Sequence, residues 1–248
     1  MAAAVARPGP LRPRRDAAAV AREAARIWAR SARAAVGRRG RFRVALSGGK
    51  TPQALFRLLA ERHRQDLPWE KTEVFWVDER HVPHDHAQSN YGLARAALLD
   101  RVPIPPANIH PMPTGSADPG RDAAAYELLL RRAFPGLRWP RFDLVLLGLG
   151  EDGHTASLFP GDAAVRERER WARAARSPAG VRDRVTLTAP ALNHAVLKLF
   201  LVCGPAKAAA LRALACGARP RPPAGLIVRP VILADREAAS RLSGPARA

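Results

Sequence analysis

The amino-acid sequence predicts an α/β domain built on a mainly parallel β-sheet with helices on both of its faces. Strand-like apolar runs alternate with helical segments along the chain, which is typical of parallel sheets. The run from Leu144 to Leu147 has no polar alternation, as expected of a strand that is buried on both faces. Glycine-rich polar loops directly follow the strands, and ligands bind at the carboxyl ends of the strands in such sheets.

The first half of the chain contains an opening helix and then two strand–loop–helix units. Val20, Ala24 and Ile27 fall on one face of the opening helix, and the glycines that follow favour its end. Residues 102–119 are rich in proline and predict a long connection. We expect helices over 16–36, over 53–63, from Ser89 onward and over 118–134, and strands over 42–46 and 74–77.

The second half continues the alternation with shorter elements. Residues 162–183 are charged and irregular, which predicts an excursion over the surface. Residues 1–15 are expected to form a flexible N-terminal tail, and residues 16–248 are expected to form a single domain. We predict strands over 144–147, 185–188, 197–203 and 226–233, a short turn or helix over 190–195, a helix after Pro205, a loop over 217–225 and a terminal helix capped by Asp235.

The formal net charge of the chain is +19, which by itself would suggest a nucleic-acid partner. However, only four of the 41 basic residues are lysines, and the arginines are scattered instead of gathered with aromatic residues into one stripe. We therefore predict no nucleic-acid partner and expect a positive field that attracts anionic small molecules.

The two cysteines, Cys203 and Cys216, lack the spacing of metal ligands, and such a low count is typical of a reducing compartment. No apolar run is long enough to predict a membrane-spanning helix, and the N-terminus lacks the apolar core of a secretory signal. The sequence therefore predicts a cytoplasmic protein with no membrane partner.

A loop of small and polar residues joins the first strand to the next helix: Ser47, Gly48, Gly49, Lys50 and Thr51. This order places free backbone N–H groups and the positive end of a helix dipole at the loop, which favours a bound phosphate. The hydroxyl groups and the Lys50 ammonium add donors to the same loop. The alternative is a simple tight turn that Thr51 caps.

Asp78, Glu79 and Arg80 come directly after the second buried strand. Three ionisable groups at the carboxyl edge of the sheet, beside the predicted phosphate loop, favour a functional site. The alternative is an exposed turn in which Arg80 pairs with one of its acidic neighbours. The histidines in the loop that follows match no metal-ligand spacing, and no metal site is predicted from them: His81, His84 and His86.

The run after Leu147 forms a glycine-rich turn that carries Asp152 and His154. An imidazole takes and returns a proton near neutral pH, as general acid–base catalysis requires. The alternative is a hydrogen-bonded histidine at the end of a strand. Backbone N–H groups of the glycine-rich turns are candidate oxyanion donors. Ser157 lacks the GxSxG elbow of serine hydrolases, so covalent catalysis is not expected.

Six segments of the chain together resemble the 6-phosphogluconolactonase family, and they occur in the order of that family. The resemblance implies a Rossmann-like, three-layer α/β/α fold, which that family shares with glucosamine-6-phosphate deaminases and ribose-5-phosphate isomerases. The matching segments are ALSGGKTP (45–52), VFWVDERHVP (74–83), SNY (89–91), GLGEDGHTASLFPG (148–161), RVTLTAPALNHA (184–195) and FLVCGPAKAAAL (200–211).

The related deaminases differ from this chain after His154. They typically continue with an Ile-Ala-Phe-Asn-Glu-Pro run, whereas Thr155 to Pro160 read TASLFP here and resemble the lactonase form. Lys50 departs from the Ser or Asn that is often found in the lactonases. The match is weakest over residues 217–235.

The resemblance implies hydrolysis of 6-phospho-D-glucono-1,5-lactone to 6-phosphogluconate in the oxidative pentose phosphate pathway, without a cofactor. His154 is the implied general base, and either Asp152 or Asp78 is expected to orient it. Arg80 and Lys207 are expected to hold the 6-phosphate together with the glycine-rich loop. A glucosamine-6-phosphate deaminase and a non-catalytic binding protein are the alternatives, and we expect a monomer or a homodimer.

Overall fold

The computed structural model describes residues 10–242 and contains a main sheet of six parallel strands. The nine strands found in these described residues are β1 (Leu11–Arg14), β2 (Phe42–Leu46), β3 (Thr72–Trp76), β4 (Asp78–Arg80), β5 (Leu144–Leu147), β6 (Ala172–Arg176), β7 (Asp183–Leu187), β8 (Leu197–Val202) and β9 (Val231–Asp235). Across the main sheet the strand order is β1-β9-β8-β5-β2-β3, which confirms the predicted α/β class with a mainly parallel sheet.

Local sequence sets the ends of the long first helix, α1 (Ala17–Arg39). Asp16 accepts a hydrogen bond from Ala19 N at its start, and Gly40 takes the left-handed conformation at its end, beyond the predicted end at residue 36. Helix α1 packs against β2 and β9. The other helices are α2 (Lys50–Arg62), α3 (Asn90–Ala97), α4 (Pro119–Ala133), α5 (Ala189–Asn193) and α6 (Ala208–Ala215). Within residues 10–242, no helix has the length and apolar character needed to cross a membrane.

A second sheet, which the sequence does not predict, contains three antiparallel strands in the order β4-β7-β6. Residues 162–183 are not an irregular excursion, because they include strand β6 and the fully buried Trp171. Strand β6 has the sequence ARAAR, and the exposed Arg173 and Arg176 mask its small apolar surface in the sequence. Helix α4 packs on β6 and β7 and covers this sheet.

The N-terminal segment also differs from its prediction. Leu11–Arg14 lie inside the predicted flexible tail, 1–15, but they form edge strand β1, which pairs with β9. A parallel edge strand pairs through its backbone, and Pro13 is tolerated at an edge, so neither the arginines nor the proline prevent it. Residues 1–9 of the predicted tail lie outside the described residues.

The last strand is Val231–Asp235, later than the predicted 226–233, because residues before Pro230 form a short turn instead. Asp235 accepts a hydrogen bond from Ala238 N at 2.7 Å, but it caps a turn and not a helix. Residues 243–248 lie outside the described residues, and a single domain over 16–248 stays a prediction.

Candidate active site

Loops at the carboxyl end of the main sheet surround a pocket of about 660 Å³. These loops follow β2, β5 and β8, and strands β4 and β7 of the small sheet complete the wall. Ligands bind at this end of the strands in open α/β sheets. The pocket is lined by all the residues that the sequence predicts for the site: Ser47, Gly48, Gly49, Lys50, Thr51, Asp78, Arg80, Asp152, His154 and Lys207. The fold therefore brings these residues together, and their individual roles stay predictions.

His154 is held by a carboxylate of its own turn. Its Nδ1 lies 2.6 Å from Asp152 Oδ1, and the same oxygen accepts the backbone N–H of His154 at 3.0 Å. Because an ionised carboxylate only accepts hydrogen bonds, this contact favours the neutral tautomer that has its proton on Nδ1 and its lone pair on Nε2. The ring packs against Phe159 with the two ring centroids 4.6 Å apart. The imidazole is thus oriented as a proton acceptor at the pocket.

Gly150 is required by this arrangement, since a Cβ atom there would overlap His154 Nδ1 and Asp152 Oδ1. The Gly150 N–H donates to His154 O at 2.8 Å, and the Gly153 N–H donates to Gly150 O at 3.1 Å. Both N–H groups are therefore used within the turn. They are not the oxyanion donors that the glycine-rich sequence predicts for this segment.

Asp78 has a different partner from the imidazole. Its Oδ2 accepts a hydrogen bond from Ser157 Oγ at 2.7 Å, and its backbone carbonyl accepts one from the side chain of Asn90 at 2.9 Å. In the described part of the chain no hydrogen bond joins Asp78 to His154. Of the two carboxylates that were expected to orient the ring, Asp152 is the one that contacts it. Ser157 donates its hydroxyl group to a carboxylate, and among the described residues it has no hydrogen bond to an imidazole of the kind that activates serine nucleophiles.

Helix α2 presents an N-terminus without a side-chain cap to the pocket. The helix begins at Lys50, its N-cap Gly49 has a φ of 102°, and no side chain among residues 10–242 caps its first turn. The alternative of a turn capped by Thr51 is therefore wrong, and these N–H groups are available to a ligand. Gly48 is needed beside them because a Cβ atom there would overlap the Asn90 side chain.

Two lysines border this helix end. Lys50 is exposed at the first position of α2. Lys207, on the loop after β8, places its Nζ 3.6 Å from Glu151 Oε1. The Glu151 side chain is 67% exposed, so this ion pair is weak and Lys207 can exchange it for an anionic ligand.

Strand β4 separates its charged side chains between two faces. Alternation along the strand places Asp78 and Arg80 at the pocket and Glu79 in the interior. Desolvation raises the pKa of Glu79 although hydrogen bonds oppose the shift. Arg80 donates from Nη1 to Gln88 O at 2.6 Å, and within the described residues it has no carboxylate partner, contrary to the ion-pair alternative. Glu79 accepts three backbone N–H groups, each at 2.7 Å, from Arg80, Asn90 and Tyr91.

The histidines after β4 have structural partners. His81 Nε2 lies 2.8 Å from Asp122 Oδ2 and connects β4 to α4, and His84 Nε2 lies 2.9 Å from Met112 O. Across residues 10–242, no three His, Cys, Asp or Glu side chains come together as metal ligands would.

Several residues of the pocket have no role in the sequence prediction, among them Asn90, Phe159 and Arg184. Arg184 is the least expected of these three, because it belongs to a strand of the unpredicted small sheet. It lies in β7 directly opposite Arg80 of β4. An arginine in a strand does not reveal which surface it faces until the partner strand is known. Arg184 opens the matching segment RVTLTAPALNHA (184–195), but that match assigned it no role.

Comparisons with known proteins agree with this geometry. A family model described as glucosamine-6-phosphate isomerases/6-phosphogluconolactonase matches residues 15–234. The chain is 50% identical over 179 residues to a 6-phosphogluconolactonase of Synechocystis sp., covering 71% of this chain and 72% of that protein. It is 41% identical over 220 residues to a 6-phosphogluconolactonase of Mycobacterium leprae, covering 85% and 89%. The solved structure of a 6-phosphogluconolactonase from Trypanosoma cruzi superposes with a TM-score of 0.86 at 30% identity, covering 96% and 98%.

Proposed function

The chain belongs to the family of glucosamine-6-phosphate isomerases and 6-phosphogluconolactonases, and from this premise we propose that it hydrolyses 6-phospho-D-glucono-1,5-lactone to 6-phosphogluconate. This reaction is a step of the oxidative pentose phosphate pathway. The observation that supports it most is one pocket that holds an imidazole oriented by a carboxylate, an uncapped helix N-terminus and Arg80. We also propose a cytoplasmic enzyme, monomeric or homodimeric, with no nucleic-acid or membrane partner.

His154 acts as the general base in this proposal. Its Nε2 takes a proton from a water molecule while the water oxygen attacks the lactone carbonyl carbon, which gives a tetrahedral intermediate. Asp152 stabilises the imidazolium that forms and fixes the ring through the 2.6 Å contact with Nδ1. The bond from the carbonyl carbon to the ring oxygen then breaks, and His154 returns the proton to that oxygen. The product is the open-chain acid, which ionises at neutral pH.

In this proposal the phosphate group of the substrate binds at the N-terminus of α2. The free N–H groups at the start of α2 and the positive end of its dipole favour a phosphate. Lys50 and Lys207 add point charges, and the Arg80 guanidinium offers a planar set of donors. Binding energy from this remote group positions the ester carbon against His154.

A glucosamine-6-phosphate deaminase/isomerase-type enzyme is the second candidate, because the matching family description includes glucosamine-6-phosphate isomerases. The run from Thr155 to Pro160 disfavours it. Phe159 of this run packs on the His154 ring, so the departure from the deaminase pattern lies in contact with the proposed base.

Lactone hydrolysis measured beside ammonia release tests the proposal. We expect purified protein to accelerate the loss of 6-phosphogluconolactone above its spontaneous hydrolysis and to release no ammonia from glucosamine 6-phosphate. Ammonia release without lactone turnover would replace the proposed reaction by the deaminase reaction. Binding of 6-phosphogluconate with neither activity would support the non-catalytic alternative.

A further inference from the structure

Two arginines face each other across the small sheet. Arg80 of β4 and Arg184 of β7 are directly paired in the antiparallel register, so their side chains project from the same face. Both line the pocket. Like charges in directly opposite positions destabilise a sheet, so this pair requires an explanation.

Arg184 has few partners within the protein. The residue is only 8% exposed, and its guanidinium makes a single hydrogen bond, from Nε to Val181 O at 2.9 Å. In the described part of the chain no carboxylate lies within salt-bridge distance of it. Burial lowers the pKa of Arg184, although the charge of Asp78 partly opposes that shift. A buried guanidinium normally has a paired anion, because an unpaired buried charge is costly.

Asp183, next to Arg184 in the chain, lies 3.6 Å from Arg176 Nη1, and the two carboxylates next to Arg80 also have other partners. Glu79 accepts three backbone N–H groups on the opposite face of β4. Asp78 accepts the hydroxyl group of Ser157 and approaches Asn90. Neither carboxylate forms a salt bridge with Arg80 or Arg184 among residues 10–242. The protein thus supplies two cations at one wall of the pocket without a bonded counter-charge.

We infer that Arg184 and Arg80 form a two-arginine clamp that binds the phosphate group of the substrate and selects phosphorylated over unphosphorylated lactones. This inference rests on the proposed function and adds a specificity-determining residue to it. An arginine fork matches phosphate oxygens in two-point contacts, and a bound dianion removes the repulsion between the two side chains. The clamp also explains why a buried arginine is kept at a position where an apolar residue would be more favourable for folding.

Substitution Arg184→Gln tests the clamp, with Arg182→Gln as the matched control. Arg182 is an exposed arginine near the same strand, it does not line the pocket, and its replacement removes the same charge. We expect Arg184→Gln to raise KM for 6-phosphogluconolactone about 30-fold or more, from the low end of the range for losing one partner of a buried, hydrogen-bonded charge pair. The loss in kcat/KM for unphosphorylated glucono-1,5-lactone should be much smaller. The control should keep both values.

Binding of inorganic phosphate gives a readout that does not depend on catalysis. Phosphate should raise the melting temperature of the wild-type protein and of Arg182→Gln, and this rise should be largely lost in Arg184→Gln. If Arg184→Gln does not fold, as judged by circular dichroism, Arg184→Lys carries the test. It keeps the charge but loses the fork, so its phosphate affinity should fall between the other two.

Equal phosphate affinity in wild type and Arg184→Gln would overturn the clamp, as would equal losses on the phosphorylated and unphosphorylated lactones. Failure of the proposed function looks different. In that case the wild-type protein itself would not hydrolyse the lactone, while the phosphate-dependent rise in melting temperature would still depend on Arg184.

Discussion

The two sheets of the molecule contribute to the pocket in different ways. The parallel sheet provides loops at the ends of its strands, and these loops carry backbone N–H groups, the His154 imidazole and Lys207. The antiparallel sheet provides side chains directly from its strands, namely Asp78, Arg80 and Arg184. In our proposal the turn after β5 thus carries out the proton transfer, and the two arginines of the small sheet select the phosphorylated substrate.

This difference extends to how each part is held. The base and its orienting carboxylate, His154 and Asp152, are two residues apart in one turn, so a short segment contains the whole contact. The arginine pair instead comes from two strands far apart in the chain, and their register depends on the small sheet. Substitutions in the His154 turn should therefore mainly change kcat, whereas substitutions of the arginine pair should mainly change KM.

The largest effect is expected for His154→Ala. Loss of the general base should lower kcat by about 1,000-fold, within the usual contribution of such a group, with little change in KM. Steady-state hydrolysis of 6-phosphogluconolactone measures it. His194→Ala is the control, because His194 is exposed and lies outside the pocket. If His154→Ala kept the full rate, His154 would not be the general base.

Gly150→Ala tests whether the position of the imidazole, and not only its presence, matters. The added Cβ atom would overlap the His154 ring, and a displacement of about 1 Å can cost about 100-fold in kcat. Gly148→Ala should cost much less, since the nearest atom to its Cβ, Ser47 Oγ, would lie 3.8 Å away. Equal losses in the two variants would show that general disruption of the loop, and not the ring position, limits the rate.

On the small-sheet side, Arg80→Gln should raise KM for the phosphorylated lactone about 10- to 100-fold while kcat falls much less. Combining it with Arg184→Gln sharpens the comparison. Two residues that hold one phosphate group are coupled, so the double variant should lose less than the product of the single losses. If the loss in the double variant equalled the product of the two single losses, the two arginines would bind separate groups of the substrate.

The smallest effect on activity is expected for Glu167→Gln, which should weaken the support of the small sheet. The buried Glu167 carboxylate accepts backbone N–H groups just before β6 and contacts Arg173 in that strand. Burial by itself would raise its pKa, but the hydrogen bonds from Glu169 N, Arg173 and the neighbouring backbone outweigh it and lower the pKa to about 2. The substitution should lower the free energy of unfolding by about 2 kcal/mol, a typical value for hydrogen bonds to a charged group.

The pH dependence of this effect has a definite sign. Because folding lowers the pKa of Glu167, its stabilisation is fully present above the ordinary glutamate pKa of about 4.5 and is lost as the pH falls toward about 2. Urea unfolding at pH 7 and at successively lower pH should therefore show the wild type and Glu167→Gln converging. A constant difference in free energy across this range would assign the stabilisation to packing.

Much of the parallel sheet and its loops could be predicted from local sequence. The uninterrupted apolar run from Leu144 to Leu147 forms a strand as expected, because such runs are typical of strands buried on both faces, and Phe42 to Leu46 forms one as well although Arg43 interrupts it. The predicted phosphate loop and the His154 turn follow these strands directly, so their place at the carboxyl edge also follows from order alone. The small sheet could not be predicted, because Ala172–Arg176 contains small alanines and two arginines and lacks a strong apolar signal.

By itself, the sequence determined the fold class, the loops at the ends of the parallel strands and the presence of His154 among them, since each depends on residues that are neighbours in the chain. Only the tertiary structure decided that Asp152 rather than Asp78 contacts the imidazole, and that Arg184 faces Arg80. Both results depend on strand register and on which face each side chain occupies. Those are properties of pairing between distant segments, which the local pattern of either segment does not contain.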